Sequence, residues 1–260
     1  RYDAQYGPPT ESAAGNPLIG WLREQYLPLL TETFPEKGLL LDIGCGTGDD
    51  ALSMVNAGYS VLGVDISPAM VRQAQTKAAV YGIRRGLAFE ALPAGRLVDL
   101  EAQGPFQGAY AMLGSLNPEP NLDGVAEGLH SRLEKGGAFV AMVMNKRCLF
   151  EIAHNLLRFR AGKTMRRQPD WQETRAGSGG VLAPSKFYTP KEFAAPFERY
   201  FEVESVRAFP LLLPPVHMHT LYKDNEDRYR RRENLDARLS GWSALAGWGD
   251  HFLMVLRHKR

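Results

Sequence analysis

Short apolar runs alternate with amphipathic stretches along the N-terminal half of the chain. Leu39–Ile43 is a short, mostly apolar run that ends in glycines, which is the pattern of a strand buried on both faces. Similar runs predict strands at 59–64, 108–113 and 138–144, and the stretches between them follow the 3.6-residue period of helices. This alternation predicts an α/β fold, in which right-handed crossovers place helices on both faces of a parallel sheet.

Capping residues and prolines define the predicted helices. Ser67 is a good N-cap for a helix that continues to about residue 81. Asn121 caps a second helix, which the glycine pair at 136–137 is expected to end. Residues 16–34 have the pattern of an amphipathic helix, which Pro28 should kink or divide.

The C-terminal part is less regular, with a predicted helix at 149–160 and strands at 201–209 and 251–257. A weaker strand at 87–89 brings the predicted total to seven. Long segments follow the fifth and sixth strands, and the carboxyl ends of parallel strands form the ligand side of such a sheet. We therefore expect both segments to cap one crevice. The predicted single domain, 1–260, consists of a helical lid at 1–37, a core at 38–144, cap segments at 145–186 and 210–249, and C-terminal strands at 187–209 and 250–260.

Composition narrows the class of protein. The 260 residues are 44% hydrophobic and 23% charged, which provides a sizeable core, and the formal net charge of +2 is too small for a dedicated nucleic-acid binder. Two cysteines, Cys45 and Cys148, cannot form a disulfide framework and favour a reducing, cytoplasmic compartment. The histidines lack the HExxH spacing, so no metal is expected. No apolar run approaches the roughly 20 residues of a membrane span.

The most informative stretch follows the first predicted strand. Gly44, Gly46 and Gly48 are spaced two residues apart, in the pattern of a tight turn that leads into a helix. Such a turn lets a ligand approach the backbone, and the helix N-terminus supplies free N–H groups. Asp65 ends the next strand, where a carboxylate can accept two hydrogen bonds from a ribose diol. A dehydrogenase loop is the main alternative, but its GxGxxG spacing differs from the GxGxG found here.

At these residues the sequence resembles the class I S-adenosylmethionine-dependent methyltransferases, in the small-molecule branch of the type 11 or ubiquinone-methyltransferase-like group. The resemblance rests on DIGCGTGDDAL at 42–52 and GVDISPAMVRQAQ at 63–75. It implies a Rossmann-like sheet of seven strands, mostly parallel with the last strand antiparallel. It also implies S-adenosylmethionine as the cofactor and S-adenosylhomocysteine as the product. The implied cofactor-binding residues are Asp42, Gly44, Cys45, Gly46, Thr47, Gly48, Asp49, Asp65, Ile66, Glu90, Ala91, Leu92, Leu113 and Gly114.

The resemblance also assigns roles within this set. Asp42 orients the amino group of the cofactor's methionine, Asp65 binds the ribose hydroxyls and Ile66 lies against the adenine. The adenine amino group is contacted either by Glu90–Ala91 or by backbone at 91–92. Asp49 either contacts the cofactor or only stabilises the first helical turn through the helix dipole.

The acceptor site is expected in the predicted cap. Methyl transfer from a sulfonium develops no oxyanion, so a general base is required only when the acceptor is a hydroxyl or a protonated amine. The candidate catalytic bases are His217 and His219. The candidate substrate contacts are Asn117, His154, Trp171 and Tyr188. The sequence leaves open whether oxygen, nitrogen or carbon is methylated.

Charge in the predicted cap bears on the kind of acceptor. His154 belongs to a polar stripe with Arg147, Glu151 and Arg158, which faces either solvent or the crevice. The basic clusters form either a solvated surface or a site for an anionic acceptor or a membrane that carries one. An apolar loop at 211–215 favours a lipophilic substrate or a pocket wall. The basic clusters are Arg158, Arg160, Lys163, Arg166 and Arg167, and Arg228, Arg230, Arg231 and Arg232.

The predicted function is therefore methyl transfer from S-adenosylmethionine to a small, lipophilic or anionic organic acceptor. One alternative is a non-catalytic S-adenosylmethionine-binding regulator or partner subunit of the same fold. A nucleic-acid methyltransferase is disfavoured, because the Asn117–Pro120 loop lacks the aromatic residue that stacks on a flipped base. The predicted partner is the small-molecule substrate, while peripheral contact with a membrane and the oligomeric state stay open.

Overall fold

The computed structural model describes residues 16–101, 104–160, 162, 164–176 and 181–260. These residues form two compact units. The first unit comprises residues 26–141, 194–204 and 255–260, and the second comprises 16–25, 142–193 and 205–254. Residues 1–15 of the predicted lid lie outside the described residues. The organisation into lid, core and cap stays a prediction.

Five parallel strands provide the framework of the first unit, in the order β3-β2-β1-β4-β5. The central strand is β1, where Leu40, Leu41 and Ile43 are fully buried. This confirms a strand covered on both faces. The strands are β1 (Leu39–Ile43), β2 (Ser60–Asp65), β3 (Leu87–Ala91), β4 (Phe106–Ala111) and β5 (Leu133–Met144).

Two further strands, β8 (Phe201–Phe209) and β9 (His251–His258), complete a seven-stranded sheet. Its order is β3-β2-β1-β4-β5-β9-β8, mostly parallel with an antiparallel last strand. The predicted Rossmann-like α/β fold is confirmed. Because β2 and β4 flank β1 on opposite sides, the strand order reverses there, and a crevice forms at the carboxyl ends of such strands.

The helices of the first unit begin where the sequence predicts. Ser67 Oγ accepts a hydrogen bond from the Met70 amide, and Asn121 Oδ1 accepts one from the Gly124 amide at 3.0 Å. Both predicted N-caps are thereby confirmed. The helices are α1 (Pro17–Thr33), which begins in the second unit, α2 (Asp49–Asn56), α3 (Pro68–Val80) and α4 (Leu122–Arg132), with short 3-10 turns at Ala94–Asp99 and Ala195–Phe197.

One predicted helix end in the first unit differs in the structure. Helix α4 ends at Arg132, before the glycine pair, because Leu133 is extended and pairs with Phe106 as the first residue of β5. The glycines at 136–137 instead lie where the register between β4 and β5 shifts. Pro28 lies inside α1 without dividing it.

The second unit contains shorter elements and an aromatic core. Tyr188, Phe193 and Phe252 are buried, and the Phe193 ring centroid lies 5.8 Å from each of the other two. The helices are α5 (Leu149–Leu157), α6 (Pro190–Ala194), α7 (His219–Lys223) and α8 (Glu226–Ser240), with 3-10 turns at Val216–Met218 and Ser243–Trp248.

The second unit also departs from the predicted pattern. Helix α5 ends at Leu157, three residues before the expected end. An antiparallel hairpin of β6 (Gln172–Ala176) and β7 (Val181–Ser185), which the sequence analysis did not predict, follows it. Among the described residues, no helix is long and apolar enough to cross a bilayer.

Candidate cofactor-binding site

The glycine loop between β1 and α2 has the left-handed backbone that glycine adopts without strain. Gly44, Gly46 and Gly48 have φ angles of 73°, 53° and 80°. A Cβ at Gly44 would lie 2.5 Å from Ser115 Cβ, and a Cβ at Gly48 would lie 2.8 Å from the Phe89 ring. A Cβ at Gly46 would meet nothing within 4 Å. The loop is therefore packed against protein at its two ends and open in the middle.

Asp65, the last residue of β2, fixes this loop. Its Oδ2 accepts a hydrogen bond from the Gly46 amide at 2.9 Å, and its Oδ1 accepts one from the Ser67 amide at 2.8 Å. Burial raises the pKa of Asp65, while these two amides oppose the rise. Each carboxylate oxygen retains a further lone pair, so the group can accept hydrogen bonds from two adjacent hydroxyls.

Asp42 lies one residue before the end of β1, with Tyr110 as its register partner on β4. Both residues are buried. Burial and the charges of Asp42 and Asp50 raise the pKa of Tyr110, so its hydroxyl stays protonated and can donate. Burial also raises the pKa of the Cys45 thiol, which is thus a neutral, unreactive part of the loop.

Thr47 and Asp49 are buried and share one cation. Lys77 Nζ lies 2.9 Å from both Thr47 Oγ1 and Asp49 Oδ1. Lys77 therefore ties α3 to the first turn of α2. No sequence pattern identifies Lys77 as part of the site, because it is 28 positions from Asp49 and lies on another helix.

The side chains beside Asp65 form a partly exposed edge. Ile66 is 71% exposed, although it directly follows a buried strand. Ala91 pairs with Asp65 at the end of β3, and the Leu92 amide donates to the Asp65 carbonyl at 2.9 Å. Glu90 is half-buried. The predicted adenine contacts thus lie together next to Asp65.

The loop after β4 carries the only left-handed non-glycine residue in the described part of the first unit. Leu113 has a φ of 53°, and Gly114 follows at 77°. A leucine in this conformation is strained, and such strain is typical of functional loops. Ser115 Oγ donates to the Ile43 carbonyl at 2.9 Å, which joins this loop to the end of β1. Asn117 is fully buried in the same loop.

His217, a predicted base, lies in the second unit beside Arg166. Arg166 Nη2 is 3.0 Å from His217 Nε2, and since a guanidinium can only donate, Nε2 is the acceptor. Burial and the charge of Arg166, opposed by Asp250, lower the pKa of His217 to about 4. The ring is therefore neutral near pH 7 and a weak base there.

The other candidate acceptor contacts belong to the second unit. His219 is half-buried, and its Nδ1 has no hydrogen-bond partner among the described residues. His154 stacks on Phe150 with centroids 6.0 Å apart, Tyr188 is buried, and Trp171 is 42% exposed.

The second unit contains a buried ionic cluster that the sequence pattern does not predict. Arg167, 4% exposed, bonds Glu151 Oε2 at 2.9 Å and Asp250 Oδ1 at 2.6 Å. The interpretation of the polar stripe as a solvated face is therefore wrong at Glu151, which is 5% exposed. No sequence signal could have found the cluster, because its members are far apart in the chain and follow no period.

The first unit fits a nucleoside cofactor. The carboxylate of Asp65 is held in place with lone pairs available, the backbone at Gly46 is open, and Ile66 offers an apolar surface beside them. These are the groups that a ribose diol, a polar chain and a base require.

Comparisons with solved structures agree with this geometry. A methyltransferase from Clostridium acetobutylicum that depends on S-adenosylmethionine has a TM-score of 0.60 at 10% identity, over 92% of each chain. One from Methanosarcina mazei has a TM-score of 0.58 at 19% identity, over 89% of this chain and 97% of that one. The [4+2]-cyclase SpnF is also similar, with a TM-score of 0.59 at 17% identity, over 91% of this chain and 80% of that one.

Sequence comparisons point to the same class of protein. The chain is 37% identical over 54 residues to "Putative methyltransferase YqeM" of Bacillus subtilis (strain 168), a match that spans 21% of this chain and 22% of that protein. The family model of a methyltransferase domain matches residues 40–137, which include the glycine loop and Asp65. These comparisons support S-adenosylmethionine as the cofactor of this site. Residues 40–137 therefore match the methyltransferase domain family, and the chain has the fold of the class I S-adenosylmethionine-dependent methyltransferases.

Proposed function

We propose that this chain transfers the methyl group of S-adenosylmethionine to an oxygen, nitrogen or carbon atom of a small organic acceptor that is lipophilic or anionic. The observation that carries the proposal is the Asp65 carboxylate, held by the amides of Gly46 and Ser67 beside the open backbone at Gly46. This arrangement supports binding of the nucleoside part of the cofactor. The cofactor, when bound, supplies an electrophilic methyl group on a sulfonium.

The residues of the first unit bind and orient the cofactor. Asp65 accepts hydrogen bonds from the ribose hydroxyls, and the exposed Ile66 covers one face of the adenine. Asp42, in the buried end of β1, orients the amino group of the methionine part of the cofactor. The strained turn at Leu113–Gly114 lies beside that methionine part. Transfer from a sulfonium disperses charge, so positioning and exclusion of water supply most of the rate enhancement.

The state of His217 favours an acceptor that needs no strong base. With its pKa near 4 and its Nε2 engaged by Arg166, His217 acts as a hydrogen-bonding group rather than an efficient proton acceptor. His219 is the better candidate base, because its Nδ1 is not engaged by the described residues. The basic surface of the second unit, with exposed Arg158 and Arg160, supports an anionic acceptor.

The proposal includes a reducing, cytoplasmic compartment. Both cysteines of the chain are free thiols, and burial raises the pKa of each. Protonated, unpaired thiols of this kind are typical of proteins that function without disulfides.

Calorimetry and label transfer together test the proposal. The purified chain is titrated with S-adenosylmethionine and with NAD, and then incubated with methyl-labelled cofactor and a metabolite extract. We expect the chain to bind S-adenosylmethionine but not NAD, and to transfer label to a small molecule. Label in macromolecules would contradict a small acceptor. Binding without transfer to any extract would favour the alternative of a non-catalytic cofactor-binding subunit, and preferential binding of NAD would favour an oxidoreductase.

A further inference from the structure

Helix α5 buries its polar side and exposes its apolar side. Glu151 and Asn155 are buried, at 5% and 8% exposed, whereas Leu149, Leu156 and Leu157 are 37%, 54% and 81% exposed. At 100° per residue these leucines lie on the side of the helix opposite the two buried polar residues. A helix packed on its own protein ordinarily buries its apolar side. The exposed face of α5 is therefore matched to an apolar environment outside the chain.

The apolar surface continues beyond the helix. Phe159 is 97% exposed and is held in a left-handed conformation with a φ of 53°. Arg166 Nε bonds Glu151 Oε1 at 2.8 Å, on the side of α5 opposite the leucines, so this contact leaves the apolar face uncovered. We define the α5 surface as Leu149, Leu156, Leu157 and Phe159.

The charge around the α5 surface is positive. Between residues 147 and 169 the sequence contains six arginines and lysines and one acid, Glu151, and of these bases, among the described residues, only Arg167 is buried, where it pairs with Glu151 and Asp250. Glu151 is itself buried and neutralised by arginines. Arg158 and Arg160 are exposed on either side of Phe159. The nearest exposed acid along the chain, Asp170, lies 3.8 Å from Lys146.

These features match one kind of partner. Protruding leucine and phenylalanine side chains insert into the acyl boundary of a bilayer, and flanking arginines bind the phosphates of anionic lipids. A second copy of the chain would bring the same arginines together, which costs free energy. We propose that the α5 surface docks this protein on a membrane that contains anionic lipids. This inference goes beyond the proposed function and does not depend on it.

Sedimentation with lipid vesicles, without cofactor, tests the docking. We expect the full chain to bind vesicles of equal parts phosphatidylcholine and phosphatidylglycerol, and to release when salt is added. The affinity of the chain for vesicles of phosphatidylcholine alone should be lower by about tenfold or more, since each arginine near an anionic surface contributes to binding. The double variant Leu157→Ser, Phe159→Ser should weaken binding to the anionic vesicles by about tenfold or more.

A matched control variant distinguishes docking through the α5 surface from nonspecific adsorption to vesicles. Val80 is 79% exposed in the first unit, and Arg84 and Arg85 follow it closely. Val80→Ser with Arg84→Glu should leave vesicle binding unchanged. Circular dichroism and thermal melting show whether both variants fold as the parent does. Absence of binding to anionic vesicles, or equal binding by the Leu157, Phe159 double variant, would overturn the proposal. So would a dimer of the parent chain that the same double variant dissociates.

Discussion

Asp65 and Gly46 are joined by a hydrogen bond of 2.9 Å from the glycine amide to the carboxylate Oδ2. The last residue of β2 thereby fixes the turn that follows β1. The same carboxylate accepts the Ser67 amide through its other oxygen. The Asp65 side chain thus sets the shape of the glycine loop and is also the proposed ribose ligand. Because both roles concern the cofactor, replacing Asp65 should weaken cofactor binding more than it destabilises the fold.

Asp65→Ala should weaken binding of S-adenosylmethionine by about tenfold or more, because a hydrogen bond to a charged group contributes roughly 1.5 kcal/mol or more. Isothermal titration calorimetry measures the change. Asp99→Ala is the control, because Asp99 is 47% exposed and pairs with Arg96 on the surface. Unchanged affinity in the Asp65 variant would contradict the assignment of the ribose site.

Gly46→Ala distinguishes an effect on the stability of the fold from an effect on cofactor affinity. A Cβ there meets no protein atom within 4 Å, so the fold should tolerate it at the cost of a left-handed alanine, about 1–2 kcal/mol. The same methyl group projects into the space proposed for the cofactor. Affinity for S-adenosylmethionine should therefore fall by more than the loss of stability explains.

Gly82→Ala provides the matched control. Gly82 also has a positive φ, 71°, and a Cβ there also meets nothing within 4 Å. It follows α3, away from the glycine loop in the sequence. The two variants should lose similar stability in urea, but only the Gly46 variant should lose affinity. Equal affinities would place the cofactor elsewhere.

Arg167→Met should destabilise the protein by about 3–5 kcal/mol, because it leaves Glu151 and Asp250 as buried, uncompensated charges. Urea unfolding measures the difference. Adding Glu151→Gln and Asp250→Asn should recover part of the loss, since the cluster then contains no unpaired carboxylate. Arg230→Ala, at an exposed ion pair with Glu226, should change stability by no more than about 0.5 kcal/mol. If the triple variant is as unstable as Arg167→Met, the packing of these side chains rather than their charge is what stabilises the protein.

Stability should fall as pH decreases below about 6.5, the ordinary pKa of an unfolded histidine. The pKa of folded His217 is lowered to about 4, so the folded state binds fewer protons than the unfolded state across this window, and acid favours unfolding. The pKa values of Asp250 and Glu151 are also lowered, so their contribution is present above the ordinary carboxyl pKa of about 4 and is lost below it.

His217→Gln should reduce this dependence between about pH 4 and 6.5, where His130 and His154 also contribute through their lowered pKa values, while leaving the part at lower pH. Urea unfolding at several pH values measures both parts. His219→Gln, two residues away, leaves the contact of His217 with Arg166 in place and serves as the control. An unchanged pH profile in the His217 variant would contradict the lowered pKa of that ring.

Local physical rules were sufficient for most of the first unit. The strand at Leu39–Ile43, the N-caps Ser67 and Asn121, and the left-handed glycines each depend on a few neighbouring residues, so the sequence predicts them directly. The helix end near Arg132 was predicted wrongly, because a non-local pair, Leu133 with Phe106, ends the helix before the glycines.

By itself the sequence determined the α/β class, the glycine loop and the acid at the end of β2, because strand burial, turn geometry and capping are encoded over short spans. Only the tertiary structure decided how the second unit uses its polar and apolar residues. Glu151 is buried because Arg167 and Asp250, distant in the chain, neutralise it, and this pairing turns the leucines of α5 outward. A hydrophobic period identifies the two sides of a helix, but the partners that the fold brings to each side determine which one faces inward.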